Sequence, residues 1–139
     1  MSRIISPDNA GKDRTRMVKS IIIAIRELGK KVQPDDEARD MAAYIVMALE
    51  VIANTIEESV KAWEKRDYWV KADRFRMEWA WSQVLSKQME KAVLNEDWGE
   101  IAYLIVQIAQ RLGKISVSEN HRMGKPWIGA WEKLKISHF

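Results

Sequence analysis

The chain has 139 residues, 47% of them hydrophobic and 31% charged, with no cysteine and a formal net charge of +3. That length suits one domain with a core of its own, and the missing cysteines exclude a disulfide framework, a thiolate nucleophile and any cysteine-ligated zinc or iron–sulfur centre. No apolar run approaches the roughly 18 residues of a membrane span, and the opening residues lack the basic-then-apolar order of a signal peptide, so a cytoplasmic location without membrane attachment is expected.

Charge is distributed in blocks. Residues 1–33 are basic, residues 34–62 are acidic, residues 63–92 are again mildly basic, and the end from 114 onward is basic. Such blocks steer an anionic partner or pair with one another between protomers.

Residues 1–11 read as an irregular arm in which Ser6-Pro7-Asp8-Asn9 forms a turn or a first cap. A first helix is predicted over about Lys12 to Lys30, where Met17, Ile21, Ala24, Ile25 and Leu28 recur at helical spacing. Gly29 with Lys30-Lys31 suits its C-terminal end. Pro34-Asp35-Asp36-Glu37 then opens a second helix with acidic groups over its positive N-terminus. Its stripe runs through Met41, Ile45, Ala48, Leu49, Ile52, Ile56 and Trp63. Between Met41 and Ala53 the only charge is Glu50, which predicts a central, mostly buried helix.

The stripe changes phase at Arg66-Asp67, and a tight turn or kink is expected there. The third helix, about Tyr68 to Val93, carries apolar residues on two faces. Tyr68, Ala72, Phe75 and Trp79 form one; Val70, Met77, Trp81 and Val84 form another that needs a partner. Asn95 is expected to cap a fourth helix with the stripe Trp98, Ile101, Ala102, Ile105, Ile108, Ala109 and Leu112, closed by Gly113. The tail holds a possible extended stretch at 115–118, a basic loop from His121 to Pro126, and a short helix over Gly129 to Lys135 anchored by Trp131. The expected fold is all-α: an arm (1–11), an up-down four-helix bundle (12–113), and a tail with a short helix (114–139).

Catalytic signatures are sparse. A di-iron bundle site needs Glu-x-x-His pairs and inward glutamates, whereas the two histidines, His121 and His138, both lie in the tail. No G-x-S-x-G elbow is present, and Gly11-Lys12-Asp13-Arg14-Thr15 lacks the remainder of a phosphate-binding loop. No cofactor, metal or enzymatic activity is expected.

The segment WEKRDYWVKADRFRMEWAW, Trp63 to Trp81, concentrates four of the seven tryptophans among cations. Rings stack on bases while guanidinium and ammonium groups hold phosphates; the same rings also fill cores, and Asp67, Asp73 and Glu78 stand close enough to neutralise the cations. The candidate nucleic-acid residues are Lys65, Arg66, Trp69, Lys71, Arg74 and Arg76. The candidate oligomer or partner interface is Val70, Met77, Trp81 and Val84. Lys12, Arg14, Arg16 and Lys19 at the first helix, and Arg122, Lys125, Lys133 and Lys135 in the tail, add to such a surface only if the fold gathers them on one side.

Over about residues 14–118 the chain resembles the accessory variability determinants of diversity-generating retroelements, which are related in fold to bundle proteins encoded in ribosomal RNA intervening sequences. The resemblance is carried by helix lengths and by Ala38-Arg39-Asp40-Met41 opening the second helix. Tyr68 ahead of a helix with Arg74-Phe75 and Trp79, and Ile108-Ala109-Gln110-Arg111-Leu112-Gly113-Lys114 closing the fourth, complete it. It implies a non-catalytic, nucleic-acid-binding partner of a reverse transcriptase, assembled as a ring-like homo-oligomer within a ribonucleoprotein. Size and helical class are also similar to the small helical subunits of CRISPR effector complexes. A structural homo-oligomeric interaction bundle is the remaining alternative.

Overall fold

A computed structural model describes residues 7–137, with side chains from Asn9 onward. The described residues are all-α, with α1 at Pro7–Leu28, α2 at Asp36–Lys65, α3 at Trp69–Leu94, α4 at Trp98–Arg111 and α5 at Ala130–Ile136; no strand occurs among them.

Helix α2 organises the rest. Its start is fixed by Asp35, which has extended backbone and whose carboxylate accepts the N–H of Ala38 at 2.7 Å. Asp36 and Glu37 in the first turn add charge complementary to the dipole. The stripe from Met41 through Ile45, Leu49 and Ile52 to Ile56 is buried. Around it pack α1, α3 and, towards its N-terminal end, α5.

Side-chain partners fix the helix directions. Tyr44 Oη donates to Ser20 Oγ at 2.7 Å, and Arg14 meets Thr55 and Ser59 further along, so α1 and α2 are antiparallel. Ser86 Oγ donates to the Val46 carbonyl at 3.1 Å, while Trp63 meets Phe75, so α2 and α3 are antiparallel as well. Between them the chain reverses over Arg66–Tyr68 with Asp67 at φ 64°, a left-handed conformation that aspartate tolerates better than most residues. Helix α4 shares a groove with the C-terminal half of α3 and makes a thinner contact with α1. At about 1.5 Å per residue α4 is about 21 Å long and α3 about 39 Å, so the N-terminal half of α3 extends past α4.

Beyond α4 the chain crosses α1, where Arg26 donates to the carbonyls of Val117 at 2.9 Å and Ser118 at 3.4 Å. It then reaches the start of α2. Trp127 is buried and gives its indole N–H to Glu37 at 3.3 Å. Asp40 accepts the N–H groups of Gly129 and Trp131 at 3.2 and 2.9 Å, satisfying donors that open α5. Ala130, Trp131 and Leu134 are the buried face of that helix.

Three expectations need correction. Helix α1 starts at Pro7, so residues 7–11 are helical rather than part of an arm; proline suits a first helical turn, where its missing N–H costs nothing. Residues 1–6 of that arm lie outside the described residues. Asn95 closes α3, and it is Asp97 that caps α4, accepting the N–H of Glu100 at 3.2 Å. The possible extended stretch at 115–118 is irregular and pairs with no strand among the described residues.

Candidate nucleic-acid interface

The reversal at Asp67 and the antiparallel packing bring three helix ends together: the start of α1, the end of α2 and the start of α3. The inside of this corner is an aromatic cluster. Trp63 and Phe75 meet edge to face at 4.8 Å between centroids, Phe75 lies 6.4 Å from Trp79, and Trp79 stacks on Trp81 at 5.7 Å. All four rings pack against the core. Lys71 Nζ sits 4.5 Å from the centre of the Trp63 ring, close enough for a cation–π attraction.

Arg14 enters the corner from α1. Its guanidinium lies 4.8 Å from the Phe75 ring centre and 6.0 Å from that of Trp79, and Nη1 is 3.4 Å from both the Thr55 and the Ser59 hydroxyl oxygens. Burial holds its pKa below the ordinary arginine value. No carboxylate among the described residues forms an ion pair with it. Arg14 is therefore a fastening between α1, α2 and α3, not part of a solvated basic face. The signal was present in the sequence: Arg14 lies four residues after Ala10 and four before Val18, both buried, so it occupies a position of the α1 stripe. Thr55 and Ser59, the buried hydroxyls beneath it, gave no such signal.

The outside of the corner is cationic. Lys65, Arg66, Lys71 and Arg74 are exposed, and none of the four forms an ion pair among the described residues. Beside them Tyr68 is 54% exposed and Trp69 56%, and a shallow groove runs over residues 67–71. Tyr68, placed on one face with Phe75 and Trp79, points to solvent while those two rings pack against the core. Arg76 is placed differently, with its guanidinium nitrogens 3.4 Å from Asp73, 3.6 Å from Glu64 and 3.7 Å from Glu57. Three carboxylates around one guanidinium leave little field for a phosphate.

Of the other basic residues, Lys12, Arg16 and Lys19 are exposed on the side of α1 away from Arg14, where they line a shallow groove with Met123 of the tail. Two of the tail cations are spent elsewhere. Lys125 pairs with Glu37 at 3.4 Å, and Lys135 pairs with Glu132 at 3.1 Å and lies over Trp131, near the opposite end of α2. The proposed partner face of α3 divides: Val70, Met77 and Val84 are 67, 77 and 54% exposed, whereas Trp81 is partly buried against Trp79.

Among the described residues no group of three or more His, Asp or Glu side chains is arranged to hold a metal ion. His121 Nδ1 accepts the N–H of Met123 at 3.2 Å, and His138 lies outside the described residues. No described helix is long and apolar enough to cross a membrane. No family model matches the chain, nor does any curated protein or solved structure.

Proposed function

We propose that this chain is a non-catalytic subunit, built as an up-down four-helix bundle with α5 as an appended clasp, that binds single-stranded nucleic acid within a ribonucleoprotein assembly. The observation that carries this reading is the outer face of the α2–α3 corner. Two rings, Tyr68 and Trp69, are more than half exposed beside Lys65, Arg66, Lys71 and Arg74, none of which a described carboxylate neutralises. Trp69 offers a π-face for a base, at about 1–3 kcal/mol per stacked base. The four cations hold flanking phosphates. Arg76 drops out of the binding set because its charge is spent within the fold.

A tryptophan-fluorescence titration with single-stranded RNA and DNA at several salt concentrations tests this. Binding is expected to quench emission and to weaken as salt rises. The variant Lys65→Glu with Arg66→Glu should lose affinity and flatten the log K against log salt slope by about 0.7 for each phosphate contact removed. Trp69→Ala should lower affinity with no change in that slope. Unchanged affinity in a folded Lys65→Glu/Arg66→Glu protein would refute the assignment.

A further inference from the structure

We infer that α3 pairs with α3 of a second copy of this chain, the two helices running antiparallel. The observation is a heptad seam on the solvent side of α3, away from the face that meets α2 and beginning at Val70 in the groove over residues 67–71. Val70, Met77 and Val84 recur every seven residues and are 67, 77 and 54% exposed. Asp73, Ala80 and Lys87 follow each of them by three and are also exposed. The resulting spacing of three, four, three, four, three is the a/d pattern of a two-helix seam, sustained over about 25 Å of helix at 1.5 Å per residue. A lone exposed valine on a helix needs no explanation; three apolar side chains in this register form a continuous strip that water covers poorly.

Charge selects the occupant and its direction. The seam has apolar residues and alanine in the middle and one polar d position towards each end, Asp73 at one and Lys87 at the other. A parallel pair would set Asp73 against Asp73 and Lys87 against Lys87. In an antiparallel pair with Met77 of each helix over Ala80 of the other, Asp73 of each copy, which also meets Arg76 of its own helix at 3.4 Å, lies within about one turn of Lys87 of its partner, at both ends of the seam. The small Ala80 leaves room for the longer Met77, as facing large and small side chains require. One helix therefore carries both halves of a self-complementary, two-fold surface, as an isologous contact requires. None of the seam residues is one of the four corner cations, and Met77, Ala80, Val84 and Lys87 lie beyond the groove that Val70 helps to line, so the dimer is testable without nucleic acid.

Sedimentation equilibrium from low to high micromolar concentration tests it on the whole chain. A monomer–dimer equilibrium is expected. Met77→Glu should abolish the dimer while circular dichroism shows the helices intact, since Met77 is exposed in the monomer. Asp73→Lys should weaken the dimer by about tenfold or more, because it places like charges at both ends of the seam. Adding Lys87→Asp to it should restore the original affinity. A chain that stays monomeric throughout would overturn the proposal, as would a dimer unaffected by Met77→Glu. A dimer that Lys87→Asp fails to rescue would overturn the antiparallel register.

Discussion

Single residues show which parts of this molecule its sequence announces. Asp35 is an example of the announced kind: an aspartate after a proline and before an acidic pair, ahead of a long apolar stripe, has few uses other than to cap a helix. It does so, accepting the Ala38 N–H at 2.7 Å. Asp35→Ala is expected to destabilise the fold by about 1 kcal/mol, read as a lower urea midpoint with an unchanged slope. Arg14 and Arg76 are of the other kind. Both stand in basic clusters; Arg14 turns inward onto aromatic rings and hydroxyls, and Arg76, at the surface, is ringed by carboxylates. Thr55 and Ser59 beside Arg14, and Glu57 and Glu64 beside Arg76, come from α2 and lie well away in sequence; only Asp73, three residues before Arg76, was within local reach. A local pattern reports that a cation exists; only packing reports what it faces.

At the scale of elements, the four long helices were legible because each carries a stripe and a boundary signal. The phase change at Arg66-Asp67 marked the reversal that the left-handed Asp67 makes. Boundaries were less legible wherever several residues could serve. Asn95-Glu96-Asp97 offers two good capping side chains, and the choice of Asp97 follows from where α3 ends against its neighbours. Helix α5 was expected from Trp131, but its mooring was not: Trp127 buried against Glu37, and Asp40 holding two N–H groups, join residues about ninety positions apart. A seven-residue helix has too few hydrogen bonds to persist alone, so it depends on that mooring. Trp127→Ala is expected to release α5, raising protease sensitivity after Gly113 and lowering stability by about 3 kcal/mol.

For the whole molecule, the block pattern of charge becomes a polarity along the helices. The α2–α3 corner presents unpaired cations, while the end at which α2 begins gathers Asp35, Asp36, Glu37, Glu96 and Asp97. That acidic end is tied internally by Lys31, which meets Asp35 at 2.9 Å and Glu37 at 2.8 Å. The Asp35 carboxyl is held below its ordinary pKa, first by the Ala38 N–H and then by Lys31; Glu37 is held down first by Lys31 and then by Trp127. Groups depressed in the folded state add stability that is complete above their unfolded values, about 3.9 and 4.3, and is lost as pH falls through the depressed ones. Thermal melts should therefore show Tm dropping below about pH 4.5, and Glu37→Gln should make that drop shallower. The same ties raise the pKa of Lys31, so their contribution also fades at strongly alkaline pH, as pH climbs through the raised value.

The shortness of α4 has a bearing on how evenly this protein holds together. The C-terminal half of α3 is clasped by two helices, whereas among the described residues its first turns lean on the end of α2 and on Arg14. Free energy of local opening follows the number of apolar neighbours a segment has, so the corner sits low on that scale while Leu85, Met89 and Val93 sit near the top. A binder that grips the corner therefore acts on a more yielding stretch than the C-terminal half of α3. Part of its intrinsic affinity is consumed in stiffening Trp69 and its neighbours, and any mutation that stiffened them in advance would return that share as tighter binding.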